Sequence, residues 1–231
     1  MNDNPMKPFA IVHENAPVIL VGAGQLYPND LTDSLTFGKI IVAADGGAEA
    51  VLAAGYMPDA IIGDMDSQPS DTRLEGLIHH IPEQDSTDFD KALRSISAPL
   101  ILACGFTGKR IDHSLAVLTA LMTAQEQLCV VVGEESVIAL CPPRIAFDLP
   151  AGSVFSVFPM QNTSATSTGL KWPLEGVDLG PTRRIGTSNE VSGPVEITVD
   201  DPHLIVIVPR AALAELVRAL RAAPAQWPAR A

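Results

Sequence analysis

The first half of the chain alternates short apolar runs with segments whose apolar residues follow helical spacing. Each run is followed by a glycine or an aspartate, and runs of this length are typical of buried strands in a parallel sheet. The segments between the runs contain helix formers and, as at Gly55, residues that end helices. This alternation predicts an α/β fold, and we place its strands at Pro17–Val21, Ile40–Ala44, Ala60–Ile62, Pro99–Cys104 and Leu128–Val132.

Helical segments are predicted between these strands. One of them starts at Thr87, because Thr87 and Asp90 have the spacing of a capping box, in which each side chain bonds to the backbone of the other residue. The others are predicted at Leu31–Gly38, Ala48–Ala54, Arg73–Ile78 and Ser114–Ala124.

Beyond about Ile138 the helical spacing disappears, and short β-rich segments alternate with proline, glycine, serine and threonine. Turn residues at this spacing predict an antiparallel sandwich or barrel. The candidate strands are Phe147–Leu149, Ser153–Pro159, Gly169–Trp172, Arg183–Ser188, Val195–Val199 and Leu204–Val208, followed by a helix at Ala211–Ala222. We therefore predict a parallel-sheet α/β catalytic domain over residues 1–140, an all-β sandwich domain over 141–222 and a flexible tail over 223–231.

Composition excludes several classes of protein. The 231 residues carry a formal net charge of −12, and lysines and arginines cluster at most in pairs, so a basic surface for nucleic acid is absent. The three cysteines are odd in number and lack CxxC spacing, which favours reduced thiols over a disulfide framework or a zinc site. No apolar run approaches the roughly 18 residues of a membrane helix, and no signal peptide is apparent. We expect a cytoplasmic protein without nucleic-acid or membrane partners.

Aspartates are concentrated where the predicted strands and helices end. Asp45 follows one strand, Asp64 and Asp66 follow the next, and Asp85 and Asp88 precede or begin a helix. Because the carboxyl ends of parallel strands meet at one edge of a sheet, we expect these carboxylates to point into one crevice. Mg²⁺ binds one or two carboxylates together with water and substrate phosphates, so the pattern indicates a magnesium site. The alternative is a set of solvated acidic turns, since an acid in a first helical turn stabilises any helix.

A loop that contains two glycines, Gly105–His113, connects the predicted strand Pro99–Cys104 to the predicted helix Ser114–Ala124. We call it the anion loop. Gly105 and Gly108 permit close backbone approach, and the helix N-terminus attracts anions. Lys109 and Arg110 can contact phosphate oxygens. The alternative is a basic loop that balances an acidic protein, and the final histidine either stacks on a base or caps the helix.

A second pair of glycines, Gly22-Ala23-Gly24, follows the first strand. It lacks the third glycine of a dinucleotide-binding fingerprint, and Tyr27-Pro28 interrupts any helix there. We interpret it as a tight turn near a phosphate.

Taken in order, these motifs resemble those of the thiamine pyrophosphokinase family over roughly residues 17–208. The motifs are Asp45-Gly46-Gly47-Ala48, Gly63-Asp64-Met65-Asp66-Ser67, Asp85-Ser86-Thr87-Asp88-Phe89-Asp90-Lys91-Ala92, the anion loop, Gly169-Leu170-Lys171-Trp172-Pro173-Leu174 and Thr187-Ser188-Asn189-Glu190. The resemblance implies transfer of the β,γ-pyrophosphate of ATP to the hydroxyl of thiamine, giving thiamine diphosphate and AMP. It also implies a homodimer with shared active sites. The alternatives are a metal-dependent sugar-nucleotide glycosyltransferase with an Asp-x-Asp motif and a non-catalytic thiamine or nucleotide sensor.

The resemblance further implies which residues form the site. Mg²⁺ would be held by Asp64, Asp66 and Asp88, which with Arg110 would form the catalytic group. The nucleotide would be bound by Asp45, Gly46, Thr87, Asp88, Lys91, Gly105, Gly108, Lys109, Arg110, Asp112 and His113. Thiamine would be bound by Asp64, Trp172, Ser188 and Asn189, with Trp172 and Ser188 coming from the other subunit.

The chain departs from the family pattern at a few positions. Phe106, Thr107 and Lys109 interrupt a loop that is commonly richer in glycine, and Val117 stands where an asparagine is common. Trp172 also has an alternative interpretation as a core residue of the sandwich.

Overall fold

Buried apolar strands build the first of the two units into which the chain divides. The computed structural model describes residues 10–66 and 71–230, and the first unit extends to Ala120 and includes residues 131–133. The strands are β1 (Val12–His13), β2 (Val18–Val21), β3 (Ile40–Ala44), β4 (Ala60–Gly63), β5 (Ile78–His80), β6 (Ile96–Ser97) and β7 (Ile101–Cys104), together with the second half of β8 (Cys129–Val132). Every side chain of β2 is fully buried, as expected for a central strand of a parallel sheet.

The register of the parallel sheet brings several strand ends level. β2 lies between β3 and β7, β4 pairs with β3, and β5 pairs with β4. Val21 is opposite Ala43 and Cys104, and Ala44 is opposite Ile62. The residues that follow β2, β3, β4 and β7 therefore leave the sheet at one edge, where open α/β sheets bind their ligands.

The helices of this unit are α1 (Asp30–Ser34), α2 (Gly47–Ala53), α3 (Asp88–Ser95) and α4 (Ile111–Thr123). The capping box predicted for α3 is confirmed: Thr87 accepts a hydrogen bond from the N–H of Asp90, and the Asp90 carboxylate accepts one from the N–H of Thr87. The predicted helix at 73–78 is instead a 3₁₀-helix, Thr72–Leu77, that is followed at once by β5. Gly76 lowers the α-helix propensity of this segment, and 3₁₀-helices are typically short pieces of this kind.

The second unit, residues 121–130 and 134–231, contains antiparallel strands and one α-helix. They are β9 (Ser136–Leu140), β10 (Arg144–Phe147), β11 (Val154–Pro159), β12 (Ala165–Leu170), β13 (Gly186–Val199), β14 (Leu204–Pro209) and α5 (Leu213–Ala222). β14 lies between β9 and β11. The predicted order of an α/β part followed by an all-β part is confirmed.

β13 replaces two shorter strands that the sequence predicts. Its first half pairs with β11, and its second half pairs with β10 and β12, so one strand belongs to two antiparallel sheets. β13 is irregular around Pro194, because its register against β12 shifts between Thr168, which is opposite Glu196, and Leu170, which is opposite Val191. A Cβ on Gly169 would lie 2.1 Å from the carbonyl oxygen of Pro194. An irregularity of this kind removes the ladder bonds that proline cannot make.

The segment after α5, which we predict to be a flexible tail, is joined to the rest of the second unit by hydrogen bonds that involve side chains. Nε1 of Trp227 donates to the carbonyl of Cys141 at 2.8 Å, and Nε2 of Gln125 donates to the carbonyl of Pro228 at 2.8 Å. The flexibility of this tail stays a prediction. Among the described residues, no helix is both long and apolar enough to span a membrane.

Candidate active site

Sharp turns carry the acids at the ends of β3 and β4. Asp45 has φ 42° and Met65 has φ 59°, values that residues other than glycine rarely adopt. The two turns also approach closely, since a Cβ on Gly63 would lie 2.9 Å from the Cβ of Asp45. Backbone strain of this kind costs about 1–3 kcal/mol per residue and is concentrated at functional sites. Two further predicted site residues, Lys109 and Ser188, also have positive φ.

Three carboxylates converge at this edge of the sheet. Asp45, Asp64 and Asp88 each present an oxygen atom, and these atoms lie within 4.8 Å of one another. Oδ1 of Asp45 is buried and has no hydrogen-bond partner within the described structure, which is costly unless a ligand satisfies it. The arrangement can hold a metal ion. We call these three residues the acidic cluster.

The acidic cluster differs from the predicted metal set, Asp64, Asp66 and Asp88, in containing Asp45 where the prediction has Asp66. Asp66 is exposed, and its backbone N–H donates to Oδ1 of Asp64 at 3.3 Å. The left-handed residue Met65 breaks the extended geometry that would place both carboxylates on one side of the chain. Ser67, the last residue of this motif, lies outside the described residues.

Lys91 supplies a positive charge inside the acidic cluster. Its ammonium lies 2.9 Å from Oδ2 of Asp64 and 3.3 Å from Oδ1 of Asp88, and its side chain is 1% exposed. The hydrogen bond from Lys91 lowers the pKa of Asp64 more than burial raises it. Burial alone would lower the pKa of Lys91, but its bonds to both carboxylates raise it overall. Asp45 has a raised pKa, chiefly because of burial and also because of the neighbouring acids.

The loop before α3 adds a donor to the acidic cluster. Nε2 of Gln84 donates to Oδ2 of Asp64 at 3.1 Å. The loop is held by Glu83, whose carboxylate accepts hydrogen bonds from the hydroxyl of Ser86, from two backbone N–H groups of the loop and from Arg94. The bonds from Ser86 and Arg94 lower the pKa of Glu83 to about 2. The sequence analysis missed Gln84, Glu83 and Arg94, because no periodic pattern indicates hydrogen bonds between a loop and the end of the following helix.

The anion loop packs against the Gly22–Gly24 turn. Gly105 has φ 72°, and a Cβ on it would lie 2.6 Å from the carbonyl oxygen of Gly22. The N–H of Gly24 donates to the carbonyl of Gly105 at 2.7 Å, and Nζ of Lys109 donates to the carbonyl of Ala23 at 3.2 Å. The Gly22–Gly24 turn is therefore part of the site through its backbone.

Arg110 and Asp112 form an exposed ion pair at the start of α4. Nη2 of Arg110 lies 2.6 Å from Oδ2 of Asp112, and this bond lowers the pKa of Asp112 to about 2. Pairs exposed to solvent contribute about 0–1 kcal/mol to stability. Arg110 can therefore exchange this partner for a phosphate at little cost.

A cavity of about 410 Å³ unites the acidic cluster and the anion loop within the first unit, a size suited to a nucleotide-sized ligand. Asp66 and Asp112 are not among the residues that line it. The predicted residues that line it are Asp45, Gly46, Asp64, Thr87, Asp88, Lys91, Gly105, Gly108, Lys109, Arg110 and His113. Sequence reasoning missed the apolar part of its wall, formed by Phe89, Phe106 and Val117.

The second unit has a cavity of its own, of about 460 Å³, lined by Trp172, Ser188 and Asn189 among others. The amide of Asn189 bonds to both backbone groups of Trp172, at 3.1 Å to its N–H and 2.6 Å to its carbonyl. Trp172 is 55% exposed, so the alternative that it is a core residue is wrong. The Lys171 ammonium lies 4.9 Å from the centre of the indole and 3.1 Å from Oε2 of Glu190.

Two family models match the chain. The first, thiamin pyrophosphokinase catalytic domain, matches residues 32–132, and the second, thiamin pyrophosphokinase vitamin B1 binding domain, matches residues 144–204. Together they include the acidic cluster, the anion loop and the cavity of the second unit.

Curated relatives and solved structures agree with these matches. Thiamine pyrophosphokinase 2 of Arabidopsis thaliana is 28% identical over 72% of this chain and 76% of its own. Thiamin pyrophosphokinase 1 of Caenorhabditis elegans is 26% identical over 81% of this chain and 87% of its own. The crystal structure of thiamine pyrophosphokinase from Bacillus subtilis matches with a TM-score of 0.69 and 25% identity, covering 84% of this chain and 98% of that one. The enzyme from Candida albicans, at 19% identity and a TM-score of 0.70, shares the fold over 86% of this chain and 92% of its own.

Proposed function

Because the chain belongs to the thiamine pyrophosphokinase family, we propose that it transfers the β,γ-pyrophosphate of ATP to the hydroxyl of thiamine, releasing AMP. The observation that supports this most is the single cavity lined by both the acidic cluster and the cations of the anion loop. Phosphoryl transfer depends on positioning and on charge neutralisation more than on covalent chemistry by the protein. The cavity provides groups for both.

The acidic cluster fits Mg²⁺. Asp64 and Asp88 belong to both the predicted set and the observed cluster, so we propose them as ligands, with Asp45 or Asp66 as the third. Hard carboxylate oxygens and the unsatisfied Oδ1 of Asp45 suit this ion. When bound, Mg²⁺ would neutralise phosphate charge. Lys91 would hold the two shared carboxylates in place, since its ammonium bonds to both.

The anion loop would hold the phosphates of ATP. Lys109 and Arg110 line the cavity, and the backbone N–H groups at the start of α4 attract anions. Arg110 would leave its exposed partner Asp112 for a phosphate oxygen, which its planar guanidinium can bind with two hydrogen bonds. His113 and Val117 would face the rest of the nucleotide.

Thiamine would bind in the cavity of the second unit. Its thiazolium is cationic, and the exposed indole of Trp172 offers a face to a cation, while Ser188 and Asn189 offer polar groups beside it. We further propose a homodimer in which Trp172 and Ser188 of one subunit serve the acidic cluster of the other. The cytoplasmic location and the absence of nucleic-acid and membrane partners stay predictions.

The purified chain tests this function when it is incubated with ATP, Mg²⁺ and thiamine and assayed for AMP and thiamine diphosphate. We expect equal amounts of both products and none without thiamine. Release of sugar from a UDP-sugar would instead favour a glycosyltransferase, and thiamine binding without any AMP would favour a sensor. The comparisons give neither alternative support.

A further inference from the structure

The side chain of Phe106, in the anion loop, lies between the end of β2 and the start of α3. Its ring contacts the ring of Phe89 edge to face, with centroids 4.7 Å apart and planes at 61°. On its other side it fills the space above Gly22, where a Cβ would lie 2.6 Å from Cε1 of Phe106. Phe106 therefore packs between α3 and the end of β2.

Phe89, the partner of Phe106 in this contact, is buried and held in place. It is 3% exposed and lies in the first turn of α3, directly after Asp88 of the acidic cluster. The turn is fixed by the capping box of Thr87, and a shift of this turn that moves the Phe89 ring also moves Asp88. Edge-to-face pairs of aromatic rings favour a definite geometry over a merely apolar contact.

The other side of the anion loop is fixed by backbone hydrogen bonds. The carbonyl of Gly105 accepts from the N–H of Gly24 at 2.7 Å, and the carbonyl of Thr107 accepts from the N–H of Gln25 at 3.2 Å. These bonds hold the loop to residues 24 and 25, which follow β2, while among the described residues the loop reaches α3 through side-chain contacts. The aromatic pair is such a contact.

We propose that Phe106 is a positioning residue, which through Phe89 sets the distance between the anion loop and Asp88. The proposal rests on the proposed function, because Mg²⁺ and ATP must be held by α3 and by the loop at the same time. Errors of about 1 Å in such positioning can cost a factor of about 100 in rate. This also gives a role to one of the residues that depart from a glycine-rich loop.

The experiment measures ATP binding by calorimetry in the presence of Mg²⁺ and without thiamine, followed by steady-state kinetics. Phe106→Leu keeps apolar bulk but removes the ring edge, and Phe106→Tyr keeps the ring. We expect Phe106→Leu to weaken ATP about tenfold and to raise its KM while the KM for thiamine stays unchanged. Phe106→Tyr should restore ATP binding to within about twofold, since it keeps the aromatic edge that the contact needs.

A double-mutant cycle with Phe89→Leu separates coupling from simple loss of packing. Because the two rings act through one contact, the double variant should bind ATP about as weakly as either single variant. Losses that multiply would overturn the proposal.

A matched control comes from the second unit, where Phe147 and Phe155 form a similar edge-to-face pair, 5.2 Å apart at 74°. Phe147→Leu should lower the melting temperature but leave the ATP affinity unchanged. Unchanged ATP affinity in Phe106→Leu, or an equal loss in Phe147→Leu, would overturn the inference alone. Failure of the unaltered chain to bind ATP would overturn both the inference and the proposed function.

Discussion

Asp45 combines a backbone conformation that is rare outside glycine with a buried carboxylate oxygen. It has positive φ, its Oδ1 is buried without a hydrogen-bond partner among the described residues, and the neighbouring acids add repulsion. A carboxylate held in this way destabilises the free protein and is explained by a ligand that binds it. The same combination does not apply to Asp66, which is exposed.

The substitutions Asp45→Asn and Asp66→Asn are therefore expected to differ in their effects on turnover and on melting temperature. Asp66→Asn should lower turnover at least about 100-fold if it loses a ligand of Mg²⁺, whose charge is worth several kcal/mol, with little change in melting temperature. Asp45→Asn should raise the melting temperature at pH 7. Burial raises the pKa of Asp45, so the group favours folding below pH 3.8 and loses this contribution as the pH rises through its folded pKa.

Thermal melts of both variants at pH 7 and pH 3, with rate assays over a range of Mg²⁺ concentrations, check these outcomes. The stabilisation by Asp45→Asn should disappear at pH 3. Normal turnover in Asp66→Asn would remove that residue from the metal site, and an unchanged Mg²⁺ requirement in Asp45→Asn would remove the other.

Trp172→Ala should weaken thiamine binding and leave ATP binding unchanged. An indole contributes about 0.5–2 kcal/mol to binding a cation, and the 55% exposure of Trp172 favours the lower part of this range. The melting temperature should change little, because the ring is not core. Titrations with thiamine and with ATP measure both effects.

Trp227→Ala is the matched control, since Trp227 also belongs to the second unit but bonds to Cys141 away from this cavity. Equal thiamine affinity in the Trp172 variant and the control would exclude the indole from the thiamine site.

At the scale of elements, the short loop before α3 decides how the acidic cluster is supported. Its conformation depends on the ion pair between Glu83, at the start of the loop, and Arg94, near the end of α3. In this conformation the side-chain amide of Gln84 donates a hydrogen bond to Asp64. The capping box then starts α3 with Asp88 in its first turn. The loop and the helix together thus support two of the three carboxylates.

Glu83→Gln should make the melting temperature less dependent on pH in the acidic range. It should also raise the Mg²⁺ requirement, which is the concentration of Mg²⁺ needed for activity. The pKa of Glu83 is lowered from 4.5 to about 2, so its carboxylate stabilises the fold above pH 4.5 and this contribution is lost as the pH falls towards 2. The variant should melt at a lower temperature than the native chain at pH 7, and the two should converge near pH 2.

Asp71→Asn provides the comparison, because Asp71 pairs with Arg73 on another loop and also has a pKa of about 2. It should show the same pH dependence of melting without any change in the Mg²⁺ requirement. If both variants leave that requirement unchanged, the loop does not support the metal site.

At the scale of the whole molecule, the two cavities belong to different units of the chain. A transferase must bring its two substrates together, and the homodimer proposed above would give each unit a partner from the other subunit. This arrangement predicts that two differently damaged chains can complement each other.

A mixture of Asp66→Asn and Trp172→Ala chains should recover activity after subunit exchange. Random exchange gives about half heterodimers, each with one site made only of undamaged parts. At limiting thiamine, equal amounts of the two chains should therefore gain about a quarter of native activity from these sites, in addition to what the remaining Trp172→Ala sites retain. Mass measurement of the dimers confirms exchange. No recovery in exchanged dimers would indicate that each site lies within one subunit.

The sequence by itself determined the features that depend on neighbouring residues. Apolar runs predicted β3 at its observed bounds and β2, β4 and β7 within two residues, because a buried parallel strand needs only its own apolar side chains. The capping box at Thr87 was equally local. Since strand ends share one edge of a parallel sheet, the sequence also predicted that the acids would meet, and the family resemblance placed the anion loop in the same site.

The tertiary structure alone decided which of these groups come within bonding distance. The register of β3 against β4 places Asp45 beside Asp64, while the left-handed turn at Met65 directs the chain so that Asp66 lies outside the acidic cluster. The burial of Lys91 and the contact of Phe106 with Phe89 depend on how α3 and the anion loop pack. Such contacts join residues that are distant in sequence, so no local pattern specifies them.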